Sequence, residues 1–174
     1  DKYFYVFLQA SPDPTLQITS SDYQTFYRHV PEQDLFWDGD LSLPRAILHH
    51  FEVTRGVSLF LASEIPPGTG LGSSSTVTVA LVKAITTAKG LKLNAYEIAE
   101  LASYIEIEKL GMPIGKQDQY AAAFGGLNRI DFAAGTTTVT GVPGGEDRPA
   151  NRRGRPNASW PATRPSTTSH SESI

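Results

Sequence analysis

Two short stretches carry residue types that could do chemistry together. The first is PPGTGLGSSS (residues 66–75), which packs three glycines and three serines into ten residues ahead of an apolar run. Glycine loses more conformational entropy on ordering than any other residue, so such a run needs a physical reason. Without a Cβ, backbone amides can approach a ligand closely, and successive amides in such a turn form an anion-binding nest. A helix beginning at Ser73, Ser74 and Ser75 would add unpaired N–H groups and the positive end of its dipole. Three hydroxyls at that point can reach a phosphate or a metal. Residues 68–75 therefore have the chemistry of a polyphosphate cradle. The plainer alternative is a strand-to-helix connection with a serine cap. The loop is not a P-loop, because no Gly-Lys-Ser/Thr follows, and it lacks the dinucleotide-fingerprint spacing.

The second stretch is EIEKLGMPIGKQDQYAAAFGGLN (106–128). A turn over residues 111–115 delivers Lys116, Gln117, Asp118 and Gln119 in a row, ahead of small apolar residues. A carboxylate flanked by amides and a lysine can be held in one orientation and can accept a proton or anchor a polar ligand. The alternative for Asp118 is the N-cap of a short helix. Upstream, Glu106 and Glu108 both fall at the edge of an apolar helical face, and a helical wheel does not separate them.

The elements that must position these residues alternate between strand and helix patterns. Residues 2–9 and 16–20 read as strands, with SPDP as the turn between them. Residues 21–41 read as a polar, aromatic loop. Residues 43–53 read as a helix with Ser42 as N-cap and Pro44 in the first turn. Residues 57–65 form a third strand ending at the glycine-rich loop. Over 74–89, Val77, Leu81, Ala84, Ile85 and Ala88 share a helical face while Val77, Val79 and Leu81 also alternate. Length, the serines and Gly90 favour a helix. Asn94 and Glu97 make a capping-box start for a helix that runs to Gly111, and residues 127–132 read as another strand.

The ends differ from this middle. The chain opens at Asp1 with no initiator Met and enters a strand at once, which implies that a segment is missing at the N-terminus. From Pro143 onward the only Val, Ile, Leu, Phe or Met is Ile174, too little apolar surface to offset chain entropy. Residues 143–174 are expected to be a disordered or out-of-frame tail, with the arginines of 152–155 solvated. The folded unit is expected over 1–142. A net charge of −3 gives no footing for nucleic acid or an anionic membrane surface. The absence of cysteine excludes disulfide and thiolate chemistry and fits a cytoplasmic setting. No apolar run reaches the roughly 18 residues of a membrane span. Adjacent His49 and His50 do not share a helical face, which disfavours a metal site, and Trp37 is expected to pack the long loop.

PPGTGLGSSS followed by GMPIGKQDQ, in this order and spacing, resembles the GHMP kinases, and GKQDQYAAAFGGLN with SSST looks most similar to their sugar branch. The resemblance covers residues 1 to about 140. It implies an α+β fold, the GHMP kinase N-terminal domain, ribosomal protein S5 domain 2-like, with a mixed sheet packed on helices and here incomplete. It implies ATP and Mg²⁺ as cofactors. Pro67, Gly68, Gly70, Leu71, Gly72, Ser73, Ser74 and Ser75 would wrap the ATP phosphates. Ser74 and Glu106 would hold Mg²⁺, with Glu106 chosen over Glu108 on family spacing alone. Asp118 would face a sugar or sugar-phosphate hydroxyl, with heptose 7-phosphate the favoured acceptor and fucose or galactose open. The family's second glycine-rich motif is not found, so the polypeptide as given is expected to be inactive. The competing expectation is a non-catalytic α/β scaffold or anion-binding domain.

Overall fold

The computed structural model describes residues 2–143 apart from Glu32, Asp40 and Pro67, so the expectations for residues 144–174 and for Pro67 lie outside the described residues. The elements run β1 (Phe4–Ala10), β2 (Leu16–Ser20), β3 (Thr25–His29), α1 (Ser42–His50), β4 (Val57–Ser63), α2 (Ser73–Ala88), α3 (Ala95–Ser103), a π-helical turn (Tyr104–Lys109), α4 (Gln117–Phe124), β5 (Asn128–Ala133) and β6 (Thr136–Gly141).

Four strands form a mixed sheet in the order β1-β4-β2-β3, and β5 and β6 form a separate hairpin. β4 runs antiparallel to β1 and parallel to β2, and the parallel pairing is possible because β3 and α1 supply the long crossover that it requires. Alternation sets the faces. Leu16 and Ile18 of β2 and Leu59 and Leu61 of β4 point inward, where Phe4, Val6 and Leu8 of β1 join them. The helices cover this face: Ile47 and Leu48 of α1, Leu81, Val82 and Ile85 of α2, and Leu101 and Ile105 are all at most 1% exposed. Each such side chain contributes about 1.5–3 kcal/mol of burial free energy. The result is a mixed sheet packed on helices, as the resemblance implies.

Several boundaries differ from the sequence reading. Residues 25–29 are a strand rather than loop, paired with β2 from Ser20↔Thr25 to Leu16↔His29. Ser42 lies within α1, and the cap position is Leu41 in the left-handed region (φ 57°) with no capping side chain. The helix from Asn94 does not run evenly to Gly111. Its start is the expected capping box, Asn94 Oδ1 accepting from Glu97 N (3.0 Å) and Glu97 Oε2 from Asn94 N (2.8 Å). It then widens at Tyr104–Lys109 into a π-helical turn, where Leu110 N donates to Ile105 O (3.0 Å). Strand β6 extends the hairpin beyond the one strand read there.

Candidate functional site

Strand β4 ends at Ser63, and the chain crosses to α2 through the glycine-rich loop. Gly68, Gly70 and Gly72 all take left-handed backbone (φ 78°, 70° and 70°), which an L side chain reaches only with strain. Leu71 between them is 67% exposed. The serines do not cap α2: Gly72 occupies the cap position and no side chain bonds there. Helical bonding begins with Thr76 N donating to Gly72 O (3.0 Å). The amides of Ser73, Ser74 and Ser75 therefore precede any intrahelical acceptor, and their positive end meets no acidic residue in the first turn.

Asp118 comes to this loop from the opposite end of the domain's sequence. It sits in the first turn of α4, and Lys116 rather than Asp118 takes the cap position. A Cβ on Gly72 would stand 3.0 Å from Asp118 Cγ and 3.1 Å from its Oδ2. The loop glycine and the carboxylate are thus in direct apposition, and a side chain at 72 would require Asp118 to give way by a few tenths of an ångström. Gly68 and Gly70, by contrast, have nothing within 4 Å of such a position.

The third component is Glu106, carried on the π-helical turn. It is fully buried, whereas Glu108 is exposed, a distinction the helical wheel left open. Gln119, the residue after Asp118 and itself 0% exposed, donates from Nε2 to Glu106 Oε2. Burial pushes the Glu106 carboxyl above the ordinary carboxylate range, and the side chains of Gln119, Ser75, Ser74 and Thr78 partly oppose that shift. The Thr78 hydroxyl is committed to the Ser74 carbonyl (3.0 Å). Glu106 Oε1 has no hydrogen-bond partner among the described residues. A buried carboxylate oxygen left unpaired beside the Ser74 and Ser75 hydroxyls suits a hard cation, which takes oxygen donors of this kind.

A cavity of about 430 Å³ opens on the sheet side of the loop. Ser20, Asp22, Tyr23 and Thr25 line it from β2 and β3, Leu41–Pro44 from the start of α1, Ser63 and Ile65 from the end of β4, and Ser73, Ser74 and Val77 from α2. Asp22 Oδ1 accepts from Ser63 N (2.8 Å), fixing the β2–β3 turn to the strand that feeds the loop. The Asp22–Thr25 segment was not singled out from sequence, because its place in the site depends on β3 existing.

Sequence reasoning also gave Glu100 no role. Its two oxygens accept from Lys116 Nζ (2.9 Å) and from the buried Tyr120 hydroxyl. The Tyr120 phenol is raised well above its ordinary range, first by burial and then by Glu100. Elsewhere, Trp37 meets His49 edge-on (4.5 Å between centroids) under the Lys109 ammonium. No group of three or more His, Cys, Asp or Glu able to hold a metal occurs among the described residues. No described helix is long and apolar enough to cross a membrane.

Residues 42–126 match the pattern described as the GHMP kinases N terminal domain. The D-glycero-alpha-D-manno-heptose 7-phosphate kinase of Campylobacter jejuni is 37% identical over 135 residues, which is 75% of this chain and 40% of that protein. A mevalonate kinase of Saccharolobus solfataricus is 35% identical over 89 residues, 51% of this chain and 27% of that protein. Among solved structures, a D-glycero-D-manno-heptose 1-phosphate kinase from Bacteriodes thetaiotaomicron superposes with a TM-score of 0.74 at 32% identity, covering 80% of this chain and 48% of that one. The chain thus spans less than half the length of the relatives it matches.

Proposed function

Because the chain belongs to the GHMP kinases, carrying their N-terminal domain at residues 42–126, we propose that it serves ATP-dependent phosphorylation of a sugar or sugar-phosphate hydroxyl, with a heptose phosphate as the favoured acceptor. The observation that carries this reading is the apposition of Gly72 and Asp118, with Asp118 Cγ 3.0 Å from where a Cβ on Gly72 would stand. A cradle for phosphates and an acid able to orient an alcohol thereby share one locus. The acceptor class rests on the heptose kinases among the relatives.

In this reading the amides of residues 68–75 hold the β- and γ-phosphates, and the nucleoside occupies the cavity on the sheet side of the loop. Glu106 Oε1 and the Ser74 hydroxyl would hold Mg²⁺, which when bound supplies positive charge to the phosphate oxygens. Asp118, against Gly72, would face the acceptor hydroxyl. The acceptor oxygen bonds to the γ-phosphorus, the bond from that phosphorus to the β–γ bridging oxygen breaks, and ADP leaves. The acceptor's proton passes to Asp118 Oδ2 or is held there as the bond forms. The transition state is loose, so positioning and electrostatics carry the rate. We assign the whole reading to residues 1–142 and expect the polypeptide as given to bind nucleotide without turning over.

Calorimetric titration of the chain with ATP, with and without Mg²⁺, tests the reading. Binding strengthened by Mg²⁺, abolished in Gly72→Val and retained in Asp118→Ala, is the expected pattern. A folded chain that binds no nucleotide, or binds it equally well as Gly72→Val, would return the domain to a non-catalytic scaffold. Phosphorylated sugar formed by the chain alone would overturn the expected inactivity and leave the chemistry standing.

A further inference from the structure

Helix α4 makes three different contacts with three successive residues. At about 100° per residue, Asp118, Gln119 and Tyr120 point in three directions: to Gly72, to Glu106 and to Glu100. Lys116 and Tyr120 are four residues apart and lie within about 40° of each other, on the side of the helix away from Asp118. Both reach the same carboxylate. Glu100 Oε2 accepts from Lys116 Nζ at 2.9 Å, and Oε1 accepts from the Tyr120 hydroxyl. Tyr120 is 1% exposed, whereas the Glu100 side chain is 29% exposed.

We infer that Glu100 is a positioning residue: by gripping Lys116 and Tyr120 together from α3, it fixes the rotation of α4 about its own axis and so holds Asp118 against Gly72. The inference rests on the reading of Asp118 as the acceptor-facing acid. An exposed Lys–Glu pair alone is worth little. Here the same carboxylate also takes a hydrogen bond from a buried phenol, and charge-assisted bonds of that kind are the strong ones. Gln119 ties α4 to the π-helical turn in a different direction.

The test reads the contact itself rather than turnover. In the ¹⁵N-labelled full chain at neutral pH, the Gly72 amide resonance is compared between proteins with Asp118 and with Asp118→Asn. That substitution displaces the resonance in the wild-type background. In a Glu100→Ala background the same displacement shrinks about twofold, because the carboxylate no longer sits against the loop. Glu100→Gln keeps an acceptor for Tyr120 and falls between the two. Should Glu100→Ala fail to fold, Lys116→Ala combined with Tyr120→Phe removes both grips, leaves α3 intact and is read the same way. An undiminished Gly72 displacement in either folded variant would overturn the inference, whatever the nucleotide does. A diminished displacement in a chain that binds no MgATP would instead overturn the kinase reading and leave the grip as a fact of geometry.

Discussion

Substituting Gly72 by alanine should cost stability twice over, and the second cost should depend on Asp118. The first cost is backbone strain. At φ 70° an L residue pays about 1–2 kcal/mol. Gly68→Ala and Gly70→Ala pay the same strain, but their new methyl groups meet nothing within 4 Å. At Gly72 the methyl meets Asp118 Cγ at 3.0 Å, Oδ2 at 3.1 Å and Cβ at 3.3 Å. Overpacking of this kind adds about 1–3 kcal/mol. Asp118→Ala by itself removes a carboxylate from the first turn of α4 and should cost only about 0.3–1 kcal/mol. It also removes the two closest atoms of the clash. The double variant Gly72→Ala/Asp118→Ala should therefore be more stable than the sum of the single effects by about 1–3 kcal/mol, within the range that touching residues show in such cycles. Urea unfolding of the four proteins gives the coupling directly, with Gly70→Ala/Asp118→Ala as the uncoupled control. Additivity at Gly72 to within about 0.5 kcal/mol would mean that the loop and the acid do not touch, and the proposed site would lose its basis.

Three further outcomes follow from the same coordinates. Burial raises the Glu106 carboxyl in the folded chain, so the folded state holds its proton longer than the unfolded chain and stability falls as pH rises through the carboxylate range. Glu106→Gln should be free of that fall and melt above the wild type at about pH 8 but not at about pH 4, while losing the Mg²⁺ enhancement of nucleotide binding; equal melting temperatures at both values would contradict the burial account. His49 and His50 are both held below the ordinary imidazole range, by burial first and by the Lys109 charge second, so stability should drop as pH falls through the unfolded value of about 6.5. A His49→Gln/His50→Gln variant with an unchanged thermal-melt slope there would refute this. Asn94→Ala should cost about 1 kcal/mol in urea unfolding, because it dismantles the capping box of α3.

What could be read from the chain in advance was what neighbouring residues decide among themselves. The Asn94–Glu97 pair announces its conformation within a few positions, and the structure bears it out. Strand β3 could not be read this way. TFYRH sits in a polar, aromatic stretch, and the turn before it uses Gln24 at φ 49° where glycine would have flagged the hairpin. Its strand character comes from pairing with β2. Thr136–Gly141 is rich in threonine and poor in large apolar groups, and is a strand because β5 lies beside it. The serines that open α2 read as caps in the sequence yet do not cap, because the chain enters through a left-handed Gly72. The ambiguity between Glu106 and Glu108 has a specific origin. A wheel assumes one rotation per residue, and the helix changes that rotation at Tyr104. Glu100 was passed over because its partners lie 16 and 20 residues away in the chain, beyond any helical spacing.

The widened turn at Tyr104–Lys109 makes the chain's tolerance of length changes uneven. An i→i+5 turn accommodates one residue more than an α-helical turn, so deleting a single residue there would let the helix close into regular α form. The helix beyond it would keep its register, but Glu106 lies within the turn itself, and the closure would shift it away from Gln119. A residue gained or lost at the Ala134–Gly135 hairpin tip would disturb neither. Insertions and deletions should thus be borne at the rim of the domain, while the turn at Tyr104–Lys109 keeps a fixed count.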